Sequence, residues 1–555
     1  MLTFDSAPTI YWFIGYLLAG VVVLASIYKK VPEKLFFTLA IFLLIFMRMP
    51  AVVYNREINA DESQMLSHAI TLYEDPVYWR SVDGTTIGPL DNYLLVVPKI
   101  LGFQINYTSG RVMGLLCVIG ALLFVFLAMR NWFGQAIARI ALTVPVVFLA
   151  FTQETDFVHY SSEQLPVFLL TLTIWLLSIL TSNKNLSSVT TFFLGFAAGM
   201  TPFAKLQTVP QAFIIVLAAI WITFQFYRKT KQIQPLLFLL AGGLTFPLLL
   251  FIWAGANHVF TDFIDFYLLG NVIYAGENNW LSIPRQMINL IMLSPDFKVY
   301  SLLLIVPIFL GFVNIFRPHS YTKSSNQFVI PTSLILLNVA GIYAATKSGN
   351  TFIHYLNFCI YPWILLATYG IAKRHQYFLI ISGLLLLWFA GNDVLSYRRE
   401  HRLNAYESIG GANLLPEHEV VKELKKFTKP GDYMVVWGWQ CQYYVEAQLA
   451  QGTAENHSER SIFKHPLQEK YLRRYVSDLQ RTKPAVFLDA VGKNSMWVQD
   501  KKTQGIDSFP AVADFVHQNY TLISDRNDVK LYVRNDRLTT QQQADVLPYL
   551  AAINH

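Results

Sequence analysis

Long apolar runs, each broken by a short polar or charged stretch, fill the first seven-tenths of the chain. A run of about 20 apolar residues carries a helix across roughly 30 Å of hydrocarbon. By length and hydropathy the pattern predicts about twelve spanning helices. They lie near 8–27, 34–53, 110–129, 137–153, 164–181, 188–204, 208–226, 235–254, 299–316, 327–345, 354–372 and 376–393. Beyond about residue 394 the pattern changes. Glu419–Phe427 reads as a helix, followed by the turn KPGD and a strand over Tyr433–Trp439. Gln468–Gln480 reads as a helix before a strand over Ala485–Ala490, and Phe509–Gln518 leads into TLISD and VKLYVRN. Helix and strand alternating at this spacing predict a small α/β domain. The expected fold class is an α-helical polytopic membrane protein, residues 1–393, with a C-terminal extracytoplasmic α/β domain, 394–555.

Composition agrees. Of 555 residues, 54% are hydrophobic and only 14% charged, against roughly 25% in soluble proteins. The net charge of +7 gives no reason to expect a nucleic-acid partner, because its distribution accounts for it. Lys29, Lys30 and Lys34, Arg130 and Arg139, Arg228, Lys229 and Lys231, Arg317 and Lys323, and Lys373 and Arg374 fall in alternate short loops. That is the pattern of cytoplasmic loops. The first apolar run lacks a basic leader and its lysines follow it, so it reads as a span with the N-terminus outside. The outer loops are then 54–109, about 153–163, 205–208, 255–298 and 346–353, with everything after about 394. These are the longer loops and hold the Asp, Glu, Trp, Tyr and His, so chemistry is expected on the outer face. Cys117, Cys359 and Cys441 form no disulfide framework.

The stretch YNREINADESQMLSHAITLYEDP, 54–76, places Asp61 and Glu62 side by side in the first outer loop. Asn59 with Glu62 resembles a capping box, and both acids suit a helix N-terminus. Met65, Ala69 and Tyr73 follow Asp61 at four-residue steps, which puts Asp61 at the head of an apolar stripe. Ser67, His68 and Thr71 form the polar side. A carboxylate on a buried face is costly without a task or a partner.

After this helix come the turn SVDGTTIGPL, a second amphipathic stretch DNYLLVVPKILGF, and TSGR, which opens the third span with Arg111. The order resembles the GT-C superfamily of polyprenyl-phosphate-sugar-dependent glycosyltransferases, which includes protein O-mannosyltransferases and the bacterial aminoarabinose transferases of lipid A. NADESQMLSHA, GPLDNYLLVVPKILG and SGRVMGLLCVIGALLFVFLAMRNWFG look like the family's acidic pair, surface helices and Arg-led span. HYSSEQLPVFLLTLTIWLL places Glu163 near the second acidic position, and GFAAGMTPFAK and IHYLNFCIYPWILLATYGIAK continue the likeness. It covers roughly 54–375. Ile87-Gly88-Pro89-Leu90 stands where much of the bacterial branch has Lys-Pro-Pro-Leu, which leaves open which cation holds the donor phosphate. An extra span also precedes the acidic loop.

The resemblance implies sugar transfer from a polyprenyl-phosphate donor to a lipid, glycan or protein acceptor, in a bacterial inner membrane. In such a donor the leaving group is already a stable phosphate. The enzyme needs one carboxylate to deprotonate the acceptor and cations to neutralise the departing phosphate. A single in-line displacement inverts the anomeric carbon. Asp61 is the candidate base, with Glu62 as a positioning acid or cap and Glu163 as a further catalytic acid. Arg111, Lys205 and His354 are candidate phosphate ligands. Each also reads as a structural interfacial residue, since Arg and Lys at span ends snorkel. Tyr355, Tyr267 and Trp280 are candidate acceptor-stacking aromatics; an interfacial aromatic belt explains them equally. The tail motif GWQCQYYVEAQ mixes aromatic and polar groups in the same way. Asp61 and Glu62 are also candidate ligands for Mg²⁺ or Mn²⁺, although adjacent helical residues point about 100° apart. A lipid-linked-sugar flippase and a polysaccharide polymerase or ligase are the rival readings. A coupled transporter would carry ionisable residues within its spans, and Arg48 is the nearest to one.

Overall fold

The structure, a computed structural model, describes residues 8–183, 185–276, 280–315, 328–406 and 414–539. Arg317 and Lys323, and Glu277 to Asn279 of the loop before Trp280, lie outside the described residues. The chain divides into two compact units. One, here the membrane unit, comprises Met1–Tyr54, Arg111–Trp253 and Tyr274–Ala412; the other, the polar unit, comprises Asn55–Gly110, Ala254–Ile273 and Asn413–His555.

Ten helices among the described residues are long and apolar enough to span a membrane. The other two expected spans are apolar helices of 17 residues, Gln135–Phe151 and Ser188–Ala204. The chain is an integral membrane protein. The helix Asn357–Ile371 is the centre of the membrane unit and is buried along almost its whole length. It packs against Pro295–Asn314, Val329–Thr346 and Gln135–Phe151. At Gly370 a Cβ would collide with the Pro307 carbonyl oxygen, so only glycine lets these two helices approach.

Without water every backbone carbonyl must find a partner inside the protein, and proline removes the N–H that would have served the carbonyl four residues back. Pro362 leaves the Phe358 carbonyl unmatched, and the Gln211 side chain donates to it at 3.1 Å. Pro50 does the same to Phe46, and the Tyr11 hydroxyl donates there. Two of the basic loops meet: Arg130 pairs with Glu33 at 2.6 Å, and Arg139 donates to the Val31 carbonyl at 3.0 Å and to that of Ala25.

The polar unit holds a five-stranded sheet of β1 (Tyr433–Trp437), β2 (Ala450–Gln451), β3 (Val486–Asp489), β4 (Tyr520–Arg526) and β5 (Val529–Arg534), in the order β2-β1-β3-β5-β4. β1 runs parallel to β2 and β3, and β5 is antiparallel to β3 and β4. Alternation sends Met434 and Val436 to one face, against the helices Glu419–Leu424 and Gln442–Ala447. Val435 and Trp437 go to the other, against Gln468–Thr482 and Pro510–Asn519.

The first outer loop, Asn55–Gly110, groups with this unit. The reason lies in the helix Ala60–Glu74. Its polar side faces protein instead of water, so Ser67, His68 and Thr71 are fully buried while Tyr73 is exposed. The Gln451 N–H donates to Thr71 Oγ1 at 2.9 Å. Asn456 donates to the Gln64 carbonyl at 2.8 Å and to Ser67 Oγ at 2.5 Å. The segment Ala254–Ile273 joins through Lys470–Asp265 at 2.6 Å and Arg474, which lies 3.6 Å over the Phe266 ring and pairs with Asp83 at 2.5 Å.

Glu455 is buried in this unit and accepts from the Arg460 N–H and the Ser461 hydroxyl. Burial pushes its carboxyl up to about 8 from an ordinary 4.5, against the Ser461 hydrogen bond and Arg474. Below about pH 4.5 folded and unfolded chains both hold the proton. Between there and about pH 8 only the unfolded chain releases it, so stability falls as pH rises. Glu455→Gln is expected to match wild type at low pH and to exceed it at pH 8.5 by on the order of 2–4 kcal/mol. Thermal unfolding in detergent at both pH values reads this, and an equal difference at both would mean that Glu455 ionises normally.

Candidate active site

Four of the nominated residues converge in the membrane unit. Glu163 precedes the helix Gln164–Ser182 and is fully buried. Lys205, in extended backbone just after Ser188–Ala204, donates to Glu163 Oε1 and to Ser162 Oγ, the latter at 2.6 Å. Its ammonium sits 5.2 Å from the centre of the Tyr355 ring. His354 lies in the single 3₁₀ turn Ile353–Leu356. Its Nδ1 is 3.1 Å from Asp156 Oδ1, which also accepts its backbone N–H at 3.2 Å, and its Nε2 is 4.0 Å from Glu163 Oε1. The Tyr355 hydroxyl is 3.0 Å from that of Tyr274, which accepts from Asn350 at 2.7 Å.

The electrostatics follow from this arrangement. Burial works to raise Glu163, but the Lys205 ammonium, with His354 and His159, holds its carboxyl well below the usual range. Burial likewise opposes ionisation of Asp156, yet the His354 hydrogen bond and the two imidazoles hold it below its ordinary value. Glu163 Oε2 has no hydrogen-bond partner among the described residues. Lys205 has three N–H donors, and the described contacts use two. A buried lysine and an imidazole sharing one carboxylate can receive a further anion such as a phosphate oxygen.

Arg111 is placed differently. It donates at 2.8 Å to the Ala51 carbonyl and also to that of Tyr54, at the C-terminal end of the helix Glu33–Val53, where a cation complements the helix dipole. This is the structural role of an interfacial anchor. One turn on, a Cβ at Gly114 would collide with the Gln164 side chain, so this helix runs close beside the turn that holds Glu163.

The acidic pair belongs to the polar unit. Asn59 caps the helix Ala60–Glu74, its Oδ1 accepting from the Asp61 N–H at 2.9 Å. Glu62 turns back to accept from the Ile58 N–H at 3.3 Å, one residue before the cap and not at it. Glu62 is the fully buried acid, whereas Asp61, expected to head the buried stripe, is half-buried. Among the described residues no side chain donates to the Asp61 carboxylate. Nearby, burial raises the Glu57 carboxyl to about 7, with Glu62, Glu446 and Asp61 adding and the Ser63 hydroxyl opposing. Glu446 binds His418, Oε1 to Nδ1 at 2.6 Å, and raises its imidazole. No group of three or more His, Cys, Asp or Glu among the described residues is arranged to hold a metal ion.

The other two nominated aromatics separate. Tyr267 is buried, with Trp79 and Phe263 each 6.1 Å away, because the π-helical turn Phe263–Leu269 directs Phe263, Phe266 and Tyr267 inward together. It is a core residue and not a platform. Trp280 is exposed and stacks on Tyr343 at 5.2 Å. Sequence reasoning missed Asp156, Ser162 and Tyr274. Asp156 stands seven residues before Glu163 in TDFVHYSSE, a polar interruption between two apolar runs that offered a signal.

Removing one partner of a buried ion pair strands the other. Lys205→Met is expected to destabilise the protein by about 3–5 kcal/mol, and Lys205→Met with Glu163→Gln to recover most of that. Thermal midpoints of both variants check it. No recovery in the double variant would show that the two charges are not coupled.

No family model matches the chain, and no curated protein matches it by sequence. Solved structures do. ArnT from Cupriavidus metallidurans bound to undecaprenyl phosphate matches with a TM-score of 0.55 at 10% identity, over 91% of this chain and 98% of that one. The same protein in the apo state matches with a TM-score of 0.53 at 10% identity, over 89% and 97%. Similarity of this extent at so low an identity is similarity of fold: the chain shares the fold of ArnT.

Proposed function

We propose that this protein is an inverting glycosyltransferase that moves a sugar from a polyprenyl-phosphate donor to a hydroxyl or amine acceptor on the extracytoplasmic face of a bacterial inner membrane. The observation that carries the reading is the meeting of Lys205 and His354 at Glu163. It gives a buried, preorganised ammonium and imidazole at helix ends, suited to a phosphate delivered by a membrane lipid. The shared fold supports it, since the similar ArnT structure holds undecaprenyl phosphate.

In this reading Lys205, with its remaining N–H, and His354 bind the donor phosphate, and Asp156 orients the imidazole. Asp61, with no side-chain donor of its own and set in the first turn of its helix, takes the acceptor proton. The acceptor oxygen or nitrogen bonds to the anomeric carbon as the carbon–oxygen bond to phosphate breaks. The electron pair leaves with polyprenyl phosphate, and the configuration inverts. Glu62 holds the helix start and Asp61 with it. Arg111 stabilises a helix end beside the phosphate ligands.

Purified protein in detergent, given labelled polyprenyl-phosphate sugars and an acceptor extract, tests this. Asp61→Asn is expected to lower turnover by about 10²–10⁴ with donor binding retained. Glu74→Gln, at the far end of the same helix, should leave turnover unchanged, and NMR of the product should show the inverted anomer. A folded, fully active Asp61→Asn removes the base assignment. Movement of lipid-linked sugar across vesicles without any transfer replaces the reading with a flippase.

A further inference from the structure

The tail motif GWQCQYYVEAQ has no role in the chemistry above, yet it occupies a distinctive place in the sheet. β1 is flanked by β2 and β3, both parallel to it. From the carboxyl end of β1 the chain passes to the helix Gln442–Ala447 on one face. From the carboxyl end of β3 it passes towards Pro510–Asn519 on the other. The two loops part in opposite directions, which makes a switch point, and open α/β sheets take ligands in the crevice outside the carboxyl ends of their strands there.

Three aromatic rings gather at this point, of which Trp439 and His457 are buried and Trp497 is open to solvent. Trp439, two residues past β1, stacks on His457 with ring centres 4.1 Å apart and planes within 6°. Trp497, in the loop after β3, meets Trp439 edge-on at 5.1 Å. The loops are locked together, since the Trp439 N–H donates to Ser495 Oγ at 2.7 Å and Gln440 to the Ala490 carbonyl at 3.0 Å. Trp497 is 48% exposed and has φ +60°, a left-handed backbone that costs a bulky residue on the order of 1 kcal/mol. A large indole held half in solvent by strained backbone resists explanation by core packing. The Trp439 indole N–H is buried and has no partner among the described residues. Burial and the nearby His68 and Arg460 hold the His457 imidazole well below its ordinary value, so the crevice is uncharged there.

The crevice is also near the candidate base. His457 Nε2 lies 3.1 Å from the side-chain amide of Gln64, one helical turn after Asp61. Cys441, two residues after Trp439, has its thiol pushed up by burial and then by the Glu57 and Asp61 carboxylates.

We propose that Trp497, braced by Trp439 and His457, is the platform of a subsite for a neutral pyranose ring of the acceptor, which is therefore a glycan or a glycan-bearing molecule. The apolar face of the ring lies on the Trp497 indole, which Trp439, stacked in turn on His457, meets edge-on from behind. The acceptor role rests on the transferase reading; the sugar site does not.

The full chain in detergent, probed with maltotriose, mannotriose and chitotriose by saturation-transfer NMR, tests the site without any donor. At least one trisaccharide should bind wild type and Trp497→Phe, with affinity weakened roughly tenfold in Trp497→Ala at an unchanged thermal midpoint. Equal binding by Trp497→Ala, or no binding of the three to wild type at 10 mM (about the weakest affinity worth calling a site), overturns the subsite. In the transfer assay Trp497→Ala should raise the acceptor KM and leave kcat and the donor KM unchanged; an unmoved acceptor KM overturns the acceptor role. Trp497-dependent binding with no transfer from any donor keeps the sugar site and ends the transferase reading.

Discussion

A helix whose polar side is turned away from water depends on the rest of the protein for the hydrogen-bond partners of that side. The helix Ala60–Glu74 is in this position, and its requirements organise the polar unit. Thr71 is met by the backbone of β2, Ser67 and the Gln64 carbonyl by Asn456, and the Gln64 side chain by His457. An unmet buried donor or acceptor costs about 1–3 kcal/mol. The set of contacts therefore fixes the rotation of the helix, and with it the direction in which Asp61 stands. The carboxylate is held by interactions made elsewhere on its helix, so its own oxygens remain uncommitted.

The membrane unit solves the same problem under a harder constraint, because a spanning helix has no water to fall back on. Its prolines leave carbonyls that side chains from neighbouring helices then match, as Gln211 and Tyr11 do. Two of its buried charges stand at helix ends and as a pair. Lys205 and Glu163 neutralise one another in a place where either alone would be very costly. A pair with a spare N–H and an unmatched carboxylate oxygen is also an incomplete one, and that incompleteness distinguishes it from Arg130–Glu33, which is half exposed and needs nothing more.

Much of this was readable in the sequence, for a physical reason. The bilayer selects on length and polarity along one dimension, so the twelve apolar runs appear as helices, with ends displaced by a few residues except at the last, which runs on to Glu400. The strands of the tail were readable too, because β-branched and aromatic runs bounded by turns carry a local signal. What needed the third dimension was not. β2 is two residues long and exists only through its pairing with β1. The polar side of Ala60–Glu74 looked solvated because its partners lie almost 400 residues away. Tyr267 looked like a surface aromatic until the π-helical turn directed it inward. Glu163, Lys205 and His354 were each nominated, but nothing in their spacing showed that they meet.

The separation of those partners has a consequence for biosynthesis. Gln64 and Asn456 are 392 residues apart in the chain. At roughly 5–20 residues per second, the ribosome takes on the order of 20–80 s to supply the second after the first. Through that interval the helix bearing Asp61 has left the ribosome while the groups that bury its polar side do not yet exist. The acidic loop must therefore be kept soluble, or guarded by a chaperone, until the chain has been made as far as Asn456. A chain cut short before residue 456 can still place its apolar helices, but the orientation of Asp61 would be left unset.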